Sequence, residues 1–452
     1  MNSFTLKKMM AFLFAFAFVF SVSAQDQNKT DQKTKKTKKE EKIKKGWNLG
    51  ALPVVSFDSD LGFQYGALMN LYNYGDGSEY PNYRQSLYAE VSRYTKKSGI
   101  YRINYDTKDL IKNMRTFIDL SYMPDQAYGF YGFNGYDALY NSHWTTTDDA
   151  TYKTRVFYNY QRKFFRFKID FLGYFKNKKL HWIGGVGLYS IKTAPVDLSI
   201  LNRHKKTDLL PVTATLFDHY LDWGIIPQSE KDGGFFTVFK GALEYDSRDN
   251  EANPNKGVWD EIVLAAAPGF TSNMNQGFLK LSFTHRQYIT IAKNRLTFAY
   301  RIGGQVSLAG HTPFYAVPLI FYARSTDAYN EGLGGSKNLR GILRNRVIGD
   351  GVLYGNFEFR WKFVRFNIAN QNFYLALNTF FDSGTVIQRY DVDQNLNKPD
   401  YFNFQTEGLH NSAGLGLRIA MNQNFIVAVD YGKALNDQDG SSGIYVGLNF
   451  LF

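Results

Sequence analysis

Cysteine is absent from the 452 residues, which excludes disulfide staples and a lipid-modified amino terminus. Long apolar runs are missing too: past Phe20 no stretch approaches the ~20 residues that a membrane-crossing helix needs. Proline is sparse, at 11 residues. What the chain has instead is aromatic side chains, 32 Tyr and 39 Phe, within a 44% hydrophobic composition. Such an excess suits a barrel with lipid-facing bands and aromatic girdles. Composition also leaves open an aromatic-rich β-solenoid or carbohydrate-binding sandwich. The length allows about three ordinary domains or one large barrel.

The first residues are built differently. Lys7 and Lys8 precede an apolar core from Met9 to Phe20, and Val22-Ser23-Ala24 supplies small residues for cleavage. This pattern predicts a signal peptide over 1–24 and a mature chain beginning near Gln25. Residues 25–46 hold nine lysines against Asp26, Asp31, Glu40 and Glu41, or 9 − 4 = +5 of the formal +12. A segment of that composition cannot bury apolar surface and is expected to be a disordered periplasmic tail, either a solvated leader or a tether to anionic material. Nucleic acid is not expected as a partner of an exported chain.

From residue 47 to 452 the dominant pattern is period-two alternation, predicting an all-β fold: a transmembrane antiparallel β-barrel of 16 strands. The strands are expected near 48–57, 61–73, 83–95, 99–107, 113–123, 152–175, 180–192, 235–247, 257–267, 276–292, 295–307, 351–363, 371–383, 409–421, 424–432 and 443–452. The sixth is overlong and changes phase near Phe164-Phe165, implying a bulge. Long connections are expected outside the cell, with both chain ends on the periplasmic side. A barrel of this size has room in its lumen. The connection at about 308–350, with glycines at 332, 334, 335, 341 and 349, is expected to fold back and fill it.

That connection contains Gly334-Gly335-Ser336-Lys337-Asn338-Leu339-Arg340-Gly341, a glycine-bracketed turn carrying one arginine. Downstream, Asn356, Glu358 and Arg360 share one strand face, opposite Phe357, Phe359 and Trp361. Asn378 and Asp382 likewise oppose Leu377, Thr379 and Phe381. The expectation is a lumen latch in which Arg340 reaches Glu358 and Asp382, with Gly334, Gly335 and Gly341 shaping the turn. A planar guanidinium can serve two carboxylates at once.

The Gly-Gly-Ser-x-x-Leu-Arg-Gly turn, the Asn356-to-Arg360 strand and the Phe380-Phe381-Asp382-Ser383-Gly384 strand resemble the signature of the bacterial surface-antigen superfamily. That family includes outer-membrane assembly barrels of the BamA and TamA type and two-partner-secretion transporters. Tyr245-Asp246-Ser247-Arg248-Asp249-Asn250, Pro254-Asn255-Lys256-Gly257 and the C-terminal Gly447-Leu448-Asn449-Phe450-Leu451-Phe452 extend the resemblance, in the family's order. It implies a Gram-negative outer-membrane barrel acting in protein or lipid insertion or in transport, the alternative being a channel or structural barrel. Expected partners are outer-membrane lipid and lipopolysaccharide, nascent outer-membrane proteins and periplasmic accessory proteins. Phe450 and Phe452 resemble the family's C-terminal targeting signal. Family members carry polypeptide-transport-associated (POTRA) domains before the barrel, and residues 25–46 are too few to form one.

Three further constellations complete the reading. Pro53, in the first strand, cannot donate a ladder hydrogen bond, and Gly447 lies in the last; together they mark a weak barrel seam. His410 and Ser412 share a strand face, yet no third catalytic group accompanies them and no enzyme activity is expected. Asp391, Asp393 and Asn395 are spaced like the start of a calcium loop, but Leu396 and Phe402 replace the required glycine and acid, so neither metal nor cofactor is expected.

Overall fold

A computed structural model describes residues 45–78, 83–203, 205–251, 253–274, 276–293, 295–324, 331–368, 371–421 and 425–452. The expected signal peptide and nearly all of the lysine-rich tail lie outside the described residues.

Sixteen antiparallel strands close into one barrel. They are β1 Trp47–Asp58, β2 Gly62–Asn73, β3 Gln85–Tyr94, β4 Gly99–Thr107, β5 Met114–Gly129, β6 Asn159–Tyr174, β7 Leu180–Ala194 and β8 Gly233–Asp246. The second half comprises β9 Gly257–Ala267, β10 Phe278–Ala292, β11 Leu296–Gly310, β12 Gly351–Ile368, β13 Gln371–Gln388, β14 His410–Met421, β15 Phe425–Ala434 and β16 Ser442–Leu448. Alternation decides which side chain meets lipid. Phe165, Phe239, Phe359, Trp361 and Leu415 are exposed outward, while Arg166, Glu358, Arg360 and Asp382 are buried inward.

Two expectations need correction. β6 begins at Asn159 and carries no bulge at Phe164-Phe165: Phe164 faces inward beside Tyr189 and Phe165 faces lipid. The irregularity lies on β5, between Asp125 and Tyr128. Residues 152–158 imitate a strand because their aromatics serve another core. Likewise β16 stops at Leu448 rather than reaching Phe452, because Asn449 adopts φ 68° and turns the chain out of the ladder.

The long connections gather at one end of the barrel. There Phe130, Phe133, Trp144, Phe157, Phe217, Tyr220, Phe314 and Phe402 belong to one apolar core. Of two short helices, α1 Leu198–Leu201 and α2 Leu216–Asp222, the second packs Leu216, Phe217 and Tyr220 into it and is opened by a Thr215/Asp218 capping box. The result is an aromatic dome above the lumen. At the opposite end the β8–β9 turn reaches across the mouth, where the Asn253 side-chain amide donates to the Tyr374 hydroxyl at 2.9 Å.

Candidate functional site

The β11–β12 connection enters the lumen and is shaped by its own turn. Gly334, Gly335 and Gly341 have φ of 115°, 84° and 95°, a region that non-glycine residues avoid. Asn338 organises the turn: its Oδ1 accepts from the Gly334 and Leu339 amides, and its Nδ2 donates to the Glu331 and Gly332 carbonyls. The turn therefore presents Arg340 as a fixed group.

Arg340 meets both predicted carboxylates. Its Nε and Nη2 donate to the two oxygens of Asp382 at 2.9 Å each, and its backbone amide donates to the same side chain at 3.1 Å. Its Nη1 lies 2.8 Å from Glu358 Oε1; the pair is in charge contact without hydrogen-bond alignment. The guanidinium sits 3.5 Å above the centre of the Phe380 ring. Arg340 is 1% exposed and both acids 0%, so this is a dry ion cluster rather than the wet pairing that an open lumen would give.

The cluster extends beyond the residues sequence reasoning named as a latch. Asn356 Nδ2 donates to Asp382 and to the Asn338 carbonyl. Arg360 pairs with the other Glu358 oxygen at 2.8 Å. Arg418 grips Asp430 with two bonds, and Asp430 stands 3.9 Å from Arg340. Alternation puts Arg418 and Asp430 on the lumen face, but their pairing follows from the β14–β15 register, with Asp430 opposite Gly416.

The same loop touches the barrel's closing strands. Gly341 N donates to the Tyr445 hydroxyl at 3.1 Å, and Arg344 N approaches Asp60 Oδ1 at 3.4 Å. Asp60 lies in the β1–β2 turn. Among the described residues its buried Oδ2 has no hydrogen-bond partner. Burial, joined by the neighbouring charge of Asp58 and only partly offset by Arg344, pushes its pKa up to about 7.

At the seam itself the ladder is short. β1 pairs with β16 only at Phe57↔Val446 and Asp58↔Tyr445, extended by Ser59 hydrogen bonds to Ile444. Among the described residues, the edge of β1 from Trp47 to Ser56 pairs with β2 on one side and has no β16 partner on the other. Pro53 sits opposite Ala67 in β2, and Gly447 opposite Ala428 in β15; neither faces the other strand across the seam. Phe450 and Phe452 turn into the lumen. The Arg360 guanidinium lies 4.2 Å from the Phe450 ring centre and donates to the Phe452 carbonyl at 2.9 Å.

The remaining candidates resolve into structural roles. Both ring nitrogens of His410 face carboxylates, Asp439 and Glu407, while the Ser412 hydroxyl has no hydrogen-bond partner among the described residues. With both nitrogens so engaged, no free imidazole lone pair is turned to the serine. Asp393 accepts from the amide and side chain of Asn395 in an exposed turn, and no group of three metal-binding side chains occurs among the described residues.

The Omp85 superfamily domain matches residues 132–452. Among solved structures, BamA from Haemophilus ducreyi lacking POTRA domains 1–3 is similar at 14% identity and a TM-score of 0.53, covering 90% of this chain and 71% of that one. CdiB from Escherichia coli is similar at 13% identity and a TM-score of 0.53, covering 89% of this chain and 62% of that one. No curated protein matches the sequence.

Proposed function

Because the chain belongs to the Omp85 superfamily, we propose that this outer-membrane barrel inserts client proteins by offering the free edge of β1 to an incoming strand. The observation that carries this reading is the seam. A strand edge with unpaired amides and carbonyls is a template for another strand, and such addition draws on main-chain hydrogen bonds. From Trp47 to Ser56 that edge has no partner in β16. The buried Arg340 cluster holds the lumen loop beside the closing strands, so the edge is presented by a fixed wall.

Passive conduction, the rival reading, calls for a continuous aqueous path. The seated loop and the aromatic dome both stand in such a path. We therefore assign the barrel to lateral insertion rather than to passage through the pore.

Locking the seam tests the proposal. Continuing the register from Phe57↔Val446 would set Ser56 opposite Gly447. In a chain without native cysteine, Ser56→Cys with Gly447→Cys gives one defined disulfide. Oxidised protein in liposomes should fail to insert a client barrel, and reductant should restore insertion. Equal insertion by the oxidised and reduced forms would refute a role for the seam.

A further inference from the structure

Lys163 of β6 and Lys192 of β7 are direct cross-strand partners, and both are exposed. Alternation turns both to the outer face, since Phe164 and Ile191, next along each strand, are buried in the lumen. Lys231, also exposed, precedes β8 by two residues, and Gly233 stands opposite Lys192. Like charges directly opposed on a sheet are destabilising. None of the three ammonium groups has an ion-pair or hydrogen-bond partner among the described residues. The outward positions of β6, β7 and β8 carry no carboxylate: they run Gln161, Lys163, Phe165, Phe167 on β6, Leu188, Ser190, Lys192 on β7, and Phe235, Thr237, Phe239 on β8.

Their height on the barrel gives the trio a use. Lys163 and Lys192 lie at the ends of their strands where the long 130–158 and 195–232 connections begin or end, the extracellular side, and Lys231 lies in the last turn of the second connection. Below them on the same face Phe165, Phe235 and, beyond Ser190, Leu188 are exposed on the lipid side. A ligand for this patch must bring negative charge to the level of the lysines and apolar chains to the level of the rings. Free phosphate meets only the first requirement.

We infer that the outer rim of β6–β8 is a docking site for the phosphorylated headgroup of an outer-leaflet glycolipid, with Lys163, Lys192 and Lys231 gripping phosphate and Phe165, Leu188 and Phe235 carrying its acyl chains. The site rests on the membrane placement of the barrel and is independent of any client insertion. Lysine stems suit it, because they cover apolar surface while the charged head stays at the interface.

The test uses the full chain in neutral detergent, with a bis-phosphorylated glycolipid and its phosphate-free counterpart as probes. The parent should bind the phosphorylated form and discriminate against the other. Lys163→Gln, Lys192→Gln and Lys231→Gln together should weaken binding on the order of 100-fold, at the usual contribution of a lysine near an anionic surface. Lys433→Gln, an exposed lysine at the end of β15, should leave affinity at the parental level, as should Lys192→Arg. Heat-modifiable mobility reports folding of each variant. Equal binding of both glycolipids by the parent would overturn the proposal without any variant, and so would parental affinity in a folded triple variant. Because no client is present, neither result depends on the seam.

Discussion

Gly341 of the lumen loop and Gly432 of β15 are in backbone contact: a Cβ on Gly341 would lie 2.5 Å from the Gly432 carbonyl carbon, and one on Gly432 would lie 2.5 Å from the Arg340 carbonyl oxygen. The side chain of Arg340 reaches its acids only because two residues without side chains let the main chains touch. Gly341→Ala, which also carries φ 95°, should therefore unseat the loop with every charge intact. Limited proteolysis in the loop should rise while heat-modifiable mobility persists. A parental digestion pattern would place the seating force elsewhere.

Arg340→Ala leaves Asp382 buried without its counter-charge and Glu358 with Arg360 alone. Breaking one side of a buried pair costs about 3–5 kcal/mol, to be read from urea unfolding in liposomes. Glu358→Gln with Asp382→Asn should reach the same loosened state, and adding Arg340→Ala to that pair should cost little more, because contacting groups are not additive. Three independent losses would show that the cluster does not act as a unit.

Asp60 supplies a pH dependence. Its folded pKa of about 7 stands above the usual carboxylate value, so between about pH 4 and 7 the folded state holds a proton that the unfolded chain has lost. Stability must then fall as pH rises through that window and level off above it. Asp60→Asn should remove this slope, matching the parent near pH 4 and exceeding it near pH 8 in urea midpoint. Parallel curves for the two proteins would contradict the assignment.

Phe450 is buried with Tyr374, Ala376, Ala420 and Ile426, beneath the Arg360 guanidinium. Phe450→Ala should cost about 3–5 kcal/mol, the usual range for a core phenylalanine. Phe450→Leu should recover most of it, since the pocket is largely aliphatic. A loss below about 1 kcal/mol in the urea assay would mean that the inward turn after Leu448 is not held by this side chain.

Strand number and facing were legible because lipid permits only one alternation, with Phe359 and Trp361 outward and Glu358 and Arg360 inward. The meeting of Arg340 with Glu358 and Asp382 was legible from the turn and from the faces of two strands. Tyr152 to Tyr158 misled, since aromatic alternation in the dome imitates a strand. Phe450 and Phe452 misled in the same way, because the left-handed Asn449 that redirects them has no sequence signal stronger than an asparagine. Asp430 beside Arg418, and Asp439 beside His410, depend on register and on loop docking, which periodicity does not encode.

The loop's contacts also fix an order of events in folding. Arg344 lies 284 residues beyond Asp60, and Ser59 lies 385 residues before Ile444. Contacts of such separation form after local hairpins, because their loop-closure entropy is met before any contact rewards it. The loop touches Asp60 at one end of the sheet and Tyr445 at the other, so it seats fully only once the first and last strands have come together. Full seating thus reports closure: a chain whose ends have not met lacks the contacts to Asp60 and Tyr445, and the segment from Gly341 to Arg344 is left more open to proteases than in the finished barrel.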